Sequence, residues 1–297
     1  MAAVRKPADA LAVAMMIVLC MCWGFNQITI KVAAAGISPI MQAGLRSIIA
    51  AVLLYAWARL RGIPLFRRDG TLQGGIAAGA LFAAEFVFIY AGLAYTTASR
   101  MVVFIYLAPC FTALGLQWFV PGERLNAGQW TGVALAFLGV ALAFADGFSM
   151  AAGSTLIGDA FGVIAALLWA ATTVLIRATG LSSASATKTL FYQLGISALT
   201  LPLASLVAGE AGIVALTPKV VASLAYQSVI VAFASYLAWF WLLTRYLAGR
   251  LAVFSFLTPL FGVFFGVILL AEPVSAAFLA AAALVGAGIV LVNRPTK

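Results

Sequence analysis

Long apolar runs, separated by short polar segments, recur along the chain from residue 10 to residue 292. Ten can be marked, near 10–30, 38–60, 72–95, 101–120, 127–145, 157–176, 187–207, 220–243, 251–271 and 274–292. Each is about 20 residues long, which is what an α-helix needs to cross a hydrocarbon core of about 30 Å. The runs are apolar on every side rather than along one stripe, an arrangement that lipid solvates and water does not. The segments between them leave no room for a soluble domain. The pattern predicts an all-α polytopic membrane protein of ten transmembrane helices.

Composition agrees. Hydrophobic residues make up 65% of the 297 and charged residues 8%, with a mean hydropathy of +1.14. A soluble domain is about one quarter charged. The net charge of +9 raises nucleic acid as a partner, but the basic residues form no patch and sit at the ends of apolar runs. Such positions carry orientation signals. With the N-terminus inside, one side collects Arg5, Lys6, Arg59, Arg61, Arg67, Arg68, Arg124, Arg177, Lys188, Arg245, Arg250, Arg294 and Lys297. The other holds only Lys31, Arg100 and Lys219. Thirteen against three predicts that both termini are cytoplasmic, in the cell (inner) membrane. The first run is long for a signal-peptide core and is expected to be retained as a span.

The chain repeats itself. Trp23 precedes Lys31 by eight residues, and in LLWAATTVLIR Trp169 precedes Arg177 by eight. LAYTTASRMVVFIYLAPCF (93–111) aligns without a gap on LTRYLAGRLAVFSFLTPLF (243–261), matching Arg100 with Arg250 and Pro109 with Pro259. Glu123 then answers Glu272. Five spans per half is an odd number, so the halves, 1–147 and 148–297, enter the membrane from opposite sides. Inverted repeats signal alternating access around a site near the midplane.

The CWGFN start, the arginine of GLRSIIAAVLL, AYTTASR with YLAP, PGERLNAGQW and a glycine-bearing fifth span together resemble the drug/metabolite transporter (DMT) superfamily, in its ten-helix EamA branch. Within that branch the aromatic richness looks most like the YddG-type exporters of aromatic amino acids. The resemblance implies two inverted five-helix units, with four helices of each around a central cavity and the fifth and tenth at the periphery. The second half departs from the pattern at Ala170–Ala171–Thr172, where Gly and Asn would stand.

Two charges lie well inside spans, Arg46 and Glu85. Intramembrane charge is costly and faces the protein interior with a partner. Both fall ~12–15 Å below the outer surface at 1.5 Å per residue. They either pair with each other, or Arg46 holds a substrate carboxylate, or Glu85 takes up a proton. Trp23, Asn26 or Gln27, and Ile30 share a helix face, and unpaired amides in lipid are expensive, so this face points into the bundle or a wet cavity. Among 36 aromatic residues, Trp23, Trp169, Tyr106 and Tyr90 are the expected wall of a cavity that stacks on flat substrates or holds cations. Pro109 and Pro259, matched inside the fourth and ninth spans, are candidate gating hinges. Small-xxx-small pairs (Gly75/Gly79, Gly128/Gly132, Gly158/Gly162, Gly262/Gly266) permit close helix approach within one chain or in a weak homodimer.

Other functions fit poorly. The chain has no histidine, and Glu85 is the sole mid-span carboxylate, so neither a paired-carboxylate site nor a metal cage is available. Cys20, Cys22 and Cys110 sit in apolar runs as small hydrophobes. No phosphate-cradling glycine loop is present. No enzyme activity, cofactor or metal is expected. The expected function is alternating-access export of amino acids, bulky or aromatic ones first, with cationic drugs or another small metabolite as the alternative.

Overall fold

The structure, a computed structural model, describes residues 5–96, 98–145, 155–270 and 276–294. Glu272, Lys297 and the half boundary at 147/148 lie outside these. α1 (Ala10–Ala34), α2 (Pro39–Leu60) and α3 (Leu72–Leu93) are continuous. The fourth span is broken into α4 (Ala98–Ile105) and α5 (Ala108–Phe119). α6 (Ala127–Ala143), α7 (Thr155–Ala178) and α8 (Ala186–Val207) follow. The eighth span joins α9 (Pro218–Ala225), a π-helical stretch (Tyr226–Ser235) and α10 (Tyr236–Arg245). The ninth joins α11 (Ala248–Ala252), a 3-10 turn (Val253–Phe256) and α12 (Leu257–Leu270), and α13 (Ala276–Asn293) completes the ten. Eight of the spans are long and apolar enough to cross a membrane, with α6 and α13 as shorter apolar helices. An even number of crossings puts both chain ends on one face, the terminal face; the other is the far face.

The packing shows the inverted repeat directly. α1 packs on α12 as α7 packs on α5, and α3 on α7 as α9 and the π stretch on α1. α3 meets α8 as the π stretch meets α2. Exchanging the halves maps each contact onto its counterpart. The local breaks obey the same offset, since α4 and α11 begin at Ala98 and Ala248, and α5 and α12 follow Leu107 and begin at Leu257.

These breaks also locate the two candidate hinge prolines. Pro109 is not inside a continuous helix. It stands in the first turn of α5, after a break at Tyr106–Leu107, where its missing N–H is one of the donors that has no helical acceptor anyway. Pro259 likewise stands in the first turn of α12.

α6 and α13 pack on each other at the edge of the bundle. A Cβ on Gly132 would lie 2.7 Å from the Gly288 carbonyl oxygen, so the two backbones touch there. Two of the other glycine pairs are also used inside the chain. Gly75 and Gly79 face Tyr192 and Ile196 of α8, and Gly158 and Gly162 face Thr96 and Phe104. Gly128 has only Asn126 nearby.

Loops between the halves staple helix ends. Glu210 accepts from the Ile40 and Met41 N–H groups at the start of α2, 3.0 Å each. On the terminal face Lys188 of α8 donates to Asp69 at 2.8–2.9 Å, and Thr71 Oγ1 donates to the same carboxylate at 2.6 Å. That environment holds the Asp69 carboxyl well below the usual carboxylate range, the Lys188 bond being the largest cause.

Candidate functional site

A cavity of about 280 Å³ occupies the bundle centre. Its wall draws on every span except α6 and α13. All eight residues expected at the site line it: Trp23, Asn26, Gln27, Arg46, Glu85, Tyr90, Tyr106 and Trp169. Pro109 lines it as well, and Pro259 does not.

Arg46 is 2% exposed and Glu85 8%, yet no ion pair joins them. The ion pairs among the described residues are Lys6–Asp9, Arg100–Asp159, Arg177–Glu123 and Lys188–Asp69. The Arg46 guanidinium lies over the Phe86 ring, 4.5 Å from its centroid. Its Nε and Nη2 have no hydrogen-bond partner among the described residues. A cation held on a ring face recovers only about 0.5–2 kcal/mol, whereas buried donors left unmade cost comparable amounts each. The pairing of Arg46 with Glu85 that the sequence allowed is therefore absent. Arg46 keeps a directional donor set inside the cavity.

The amides divide by role. No hydrogen bond among the described residues joins the Asn26 or Gln27 side chain to another helix. Asn26 Oδ1 accepts only from Thr29 Oγ1 of its own helix, at 3.1 Å. Other amides do join helices: Gln227 Nε2 donates to the Thr29 carbonyl at 3.2 Å, Gln42 Nε2 reaches the Ile30 carbonyl at 3.4 Å, and at the α6–α13 contact Gln129 Nε2 donates to the Val292 carbonyl at 2.9 Å.

Aromatic rings form two groups in the site. Trp23 meets Tyr236 and Trp239 edge-on, at 6.4 and 6.1 Å between centroids, and Phe82 bridges Tyr236 to Phe86. Trp23 Nε1 is fixed by Ser235 Oγ at 2.9 Å. In the second group Tyr106 packs against Trp169 and Phe256.

Sequence reasoning missed several lining residues, among them Gln193, Thr172, Thr173, Tyr236 and Trp239. Gln193 had a signal. It is the eighth residue of α8, as Arg46 is the eighth of α2, so the repeat superposes an amide on the arginine. Likewise the 150-residue offset sets Ser235 opposite Glu85. Both cavity charges thus belong to the first half, and their counterparts are neutral.

The two ends of the cavity differ. Toward the far face the lining includes exposed Gln27 and Leu93. Toward the terminal face it ends on Ile176, Phe240 and Ala252, all buried. Beneath them Glu123 accepts from Arg177 Nε (3.0 Å) and Nη2, and from the Ala248 and Gly249 N–H groups (3.1 Å each). Arg5 donates to the Leu243 and Ser182 carbonyls at 3.2 and 2.9 Å. Lys6 pairs its backbone with Arg245 and Leu247, strapping the N-terminal segment across the α10–α11 turn. The cavity wall is thus exposed at its far-face end and buried at its terminal-face end.

The comparisons agree with this architecture. A solved structure of the same fold superposes with a TM-score of 0.81 over 96% of each chain at 19% identity. An uncharacterized transporter of Archaeoglobus fulgidus is 29% identical over 245 residues, covering 82% of this chain and 83% of its own. A probable amino-acid metabolite efflux pump of Escherichia coli is 27% identical over 260 residues, covering 84% of each chain. One so described in Salmonella typhimurium is 26% identical over 274 residues, covering 90% and 89%. The model of the EamA-like transporter family matches residues 10–145 and again 156–294. This chain therefore belongs to the EamA-like transporter family of the DMT superfamily.

Proposed function

We propose that the chain exports amino acids, with preference for aromatic or bulky ones, by alternating access across the cell (inner) membrane with both termini cytoplasmic. The observation that carries the reading is Arg46 and Glu85 set in one cavity without pairing to each other, the arginine donors free. A zwitterion meets that arrangement with both its ends. Its carboxylate takes the Arg46 fork, its ammonium takes Glu85 and the amide oxygens of Asn26 and Gln27, and its side chain lies between the aromatic groups. A cavity of about 280 Å³ lies just below the ~300–1,000 Å³ range of ligand pockets, a size that suits one amino acid. The free guanidinium argues against a purely cationic cargo. The similarity to amino-acid metabolite efflux pumps supports the class of cargo.

Binding to purified protein, followed through quenching of the cavity tryptophans Trp23 and Trp169, tests this. Phenylalanine is expected to bind wild type, and Arg46→Gln is expected to weaken it about tenfold or more, the worth of one charge-assisted hydrogen bond. Phenethylamine, which lacks the carboxylate, should bind both proteins alike. Equal phenylalanine affinity in the two proteins would remove Arg46 from the site.

A further inference from the structure

The chemistry beneath the cavity is out of balance. Three arginines gather around the carboxylate of Glu123: Arg177 donates to it, Arg5 lines a small void together with Arg177, and Arg250 follows directly on Ala248 and Gly249, whose N–H groups Glu123 accepts. Arg177 and Arg250 are 6% and 7% exposed. Among the described residues, the Nη1 atom of each is buried without a partner, and the Arg250 side chain makes no hydrogen bond. A void of about 10 Å³, lined by Arg5 and Arg177, shares Ile176 and Phe240 with the central cavity. Those two side chains are thus the partition between the cavity and the arginine cluster.

Buried cations are retained where an anion completes them. Glu123 satisfies part of Arg177 and leaves two positive charges over. We infer that Arg5, Arg177 and Arg250 form a second, transient site for the carboxylate of the cargo on the path to the terminal face, with Glu123 holding the arginines while no cargo is present. When Ile176 and Phe240 part, a carboxylate leaving or approaching Arg46 meets Arg250 and Arg177 Nη1 before bulk water. The site rests on the amino-acid reading, since it requires a cargo that carries a carboxylate.

The test is sided transport. Phenylalanine flux is measured in inside-out and right-side-out membrane vesicles for wild type and Arg250→Gln, which deletes a guanidinium that makes no hydrogen bond among the described residues. KM measured from the terminal face is expected to rise about tenfold in the variant, with KM from the far face within twofold of wild type. Equal KM changes at both faces, or none, overturn the site. If vesicles without anionic lipid reproduce the Arg250→Gln change in wild type, the anion is a lipid headgroup and the inference is likewise overturned. Absence of phenylalanine flux in wild type would instead strike the amino-acid reading. Glu123→Gln is the complementary variant. It keeps the side-chain shape, releases the competing charge, and is expected to lower the terminal-face KM; an increase there contradicts the competition.

Discussion

Arg46 and Glu85 were visible in the sequence as the two charges that lipid cannot explain, and their depth predicted a shared layer. Their partner was not visible. One-dimensional spacing shows that two groups can meet, not that a ring will take the cation instead, as Phe86 does here. Gln193 escaped for the opposite reason: an uncharged amide in an apolar run carries little signal until the repeat sets it against Arg46. Glu85 is the one carboxylate in the cavity wall. If it serves as ammonium acceptor alone, Glu85→Gln weakens binding while flux stays indifferent to an imposed proton gradient. If it carries the coupled proton, gradient-driven flux disappears in the variant while exchange persists. The comparison of the two fluxes decides between them. Elsewhere, the Glu123–Arg177 pair is fully desolvated, and removing one partner leaves a buried charge. Arg177→Met is therefore expected to destabilise the detergent-solubilised protein by about 3–5 kcal/mol, measured by thermal or denaturant unfolding.

Hydrophobic run length located all ten spans, because crossing a bilayer leaves a helix little choice of length or composition. What it concealed was their continuity. Three spans are interrupted, and the π-helical stretch Tyr226–Ser235 contains neither proline nor glycine. Its serines bond backward instead, Ser228 Oγ to the Leu224 carbonyl and Ser235 Oγ to the Val231 carbonyl, a competition with the backbone that loosens a helix. The contact of α6 with α13 rests on backbone touching backbone, so Gly132→Leu is expected to force the pair apart, seen as a lower unfolding temperature with cavity binding retained. Loss of binding in step with unfolding would mean that these helices support the cavity. The Asp69–Lys188 staple gives a pH prediction. Because the folded pKa of Asp69 is depressed, its contribution is present above the ordinary carboxylate value of about 4 and lost as pH falls below it. The acid-side fall in unfolding temperature should be smaller in Asp69→Asn than in wild type.

At the scale of the molecule, the packing is symmetric under exchange of halves while the polar chemistry is not. On the proposed mechanism the scaffold rocks between two related closures, and the charges of the first half orient the cargo in either. The matched breaks before Pro109 and Pro259 are where we propose that the fourth and ninth spans flex, one for each face. The family and architecture were legible because a repeat and a set of loose motifs add up over nearly the whole chain. Cargo identity was not, since it depends on which side chains share a cavity wall. The most direct test of the account is counterflow: proteoliposomes loaded with unlabelled phenylalanine and diluted into labelled phenylalanine, without any ion gradient. The account predicts transient accumulation of label above protein-free liposomes, strongly reduced by Arg46→Gln. Label no higher than in protein-free liposomes, for phenylalanine and every other amino acid tried, would contradict it.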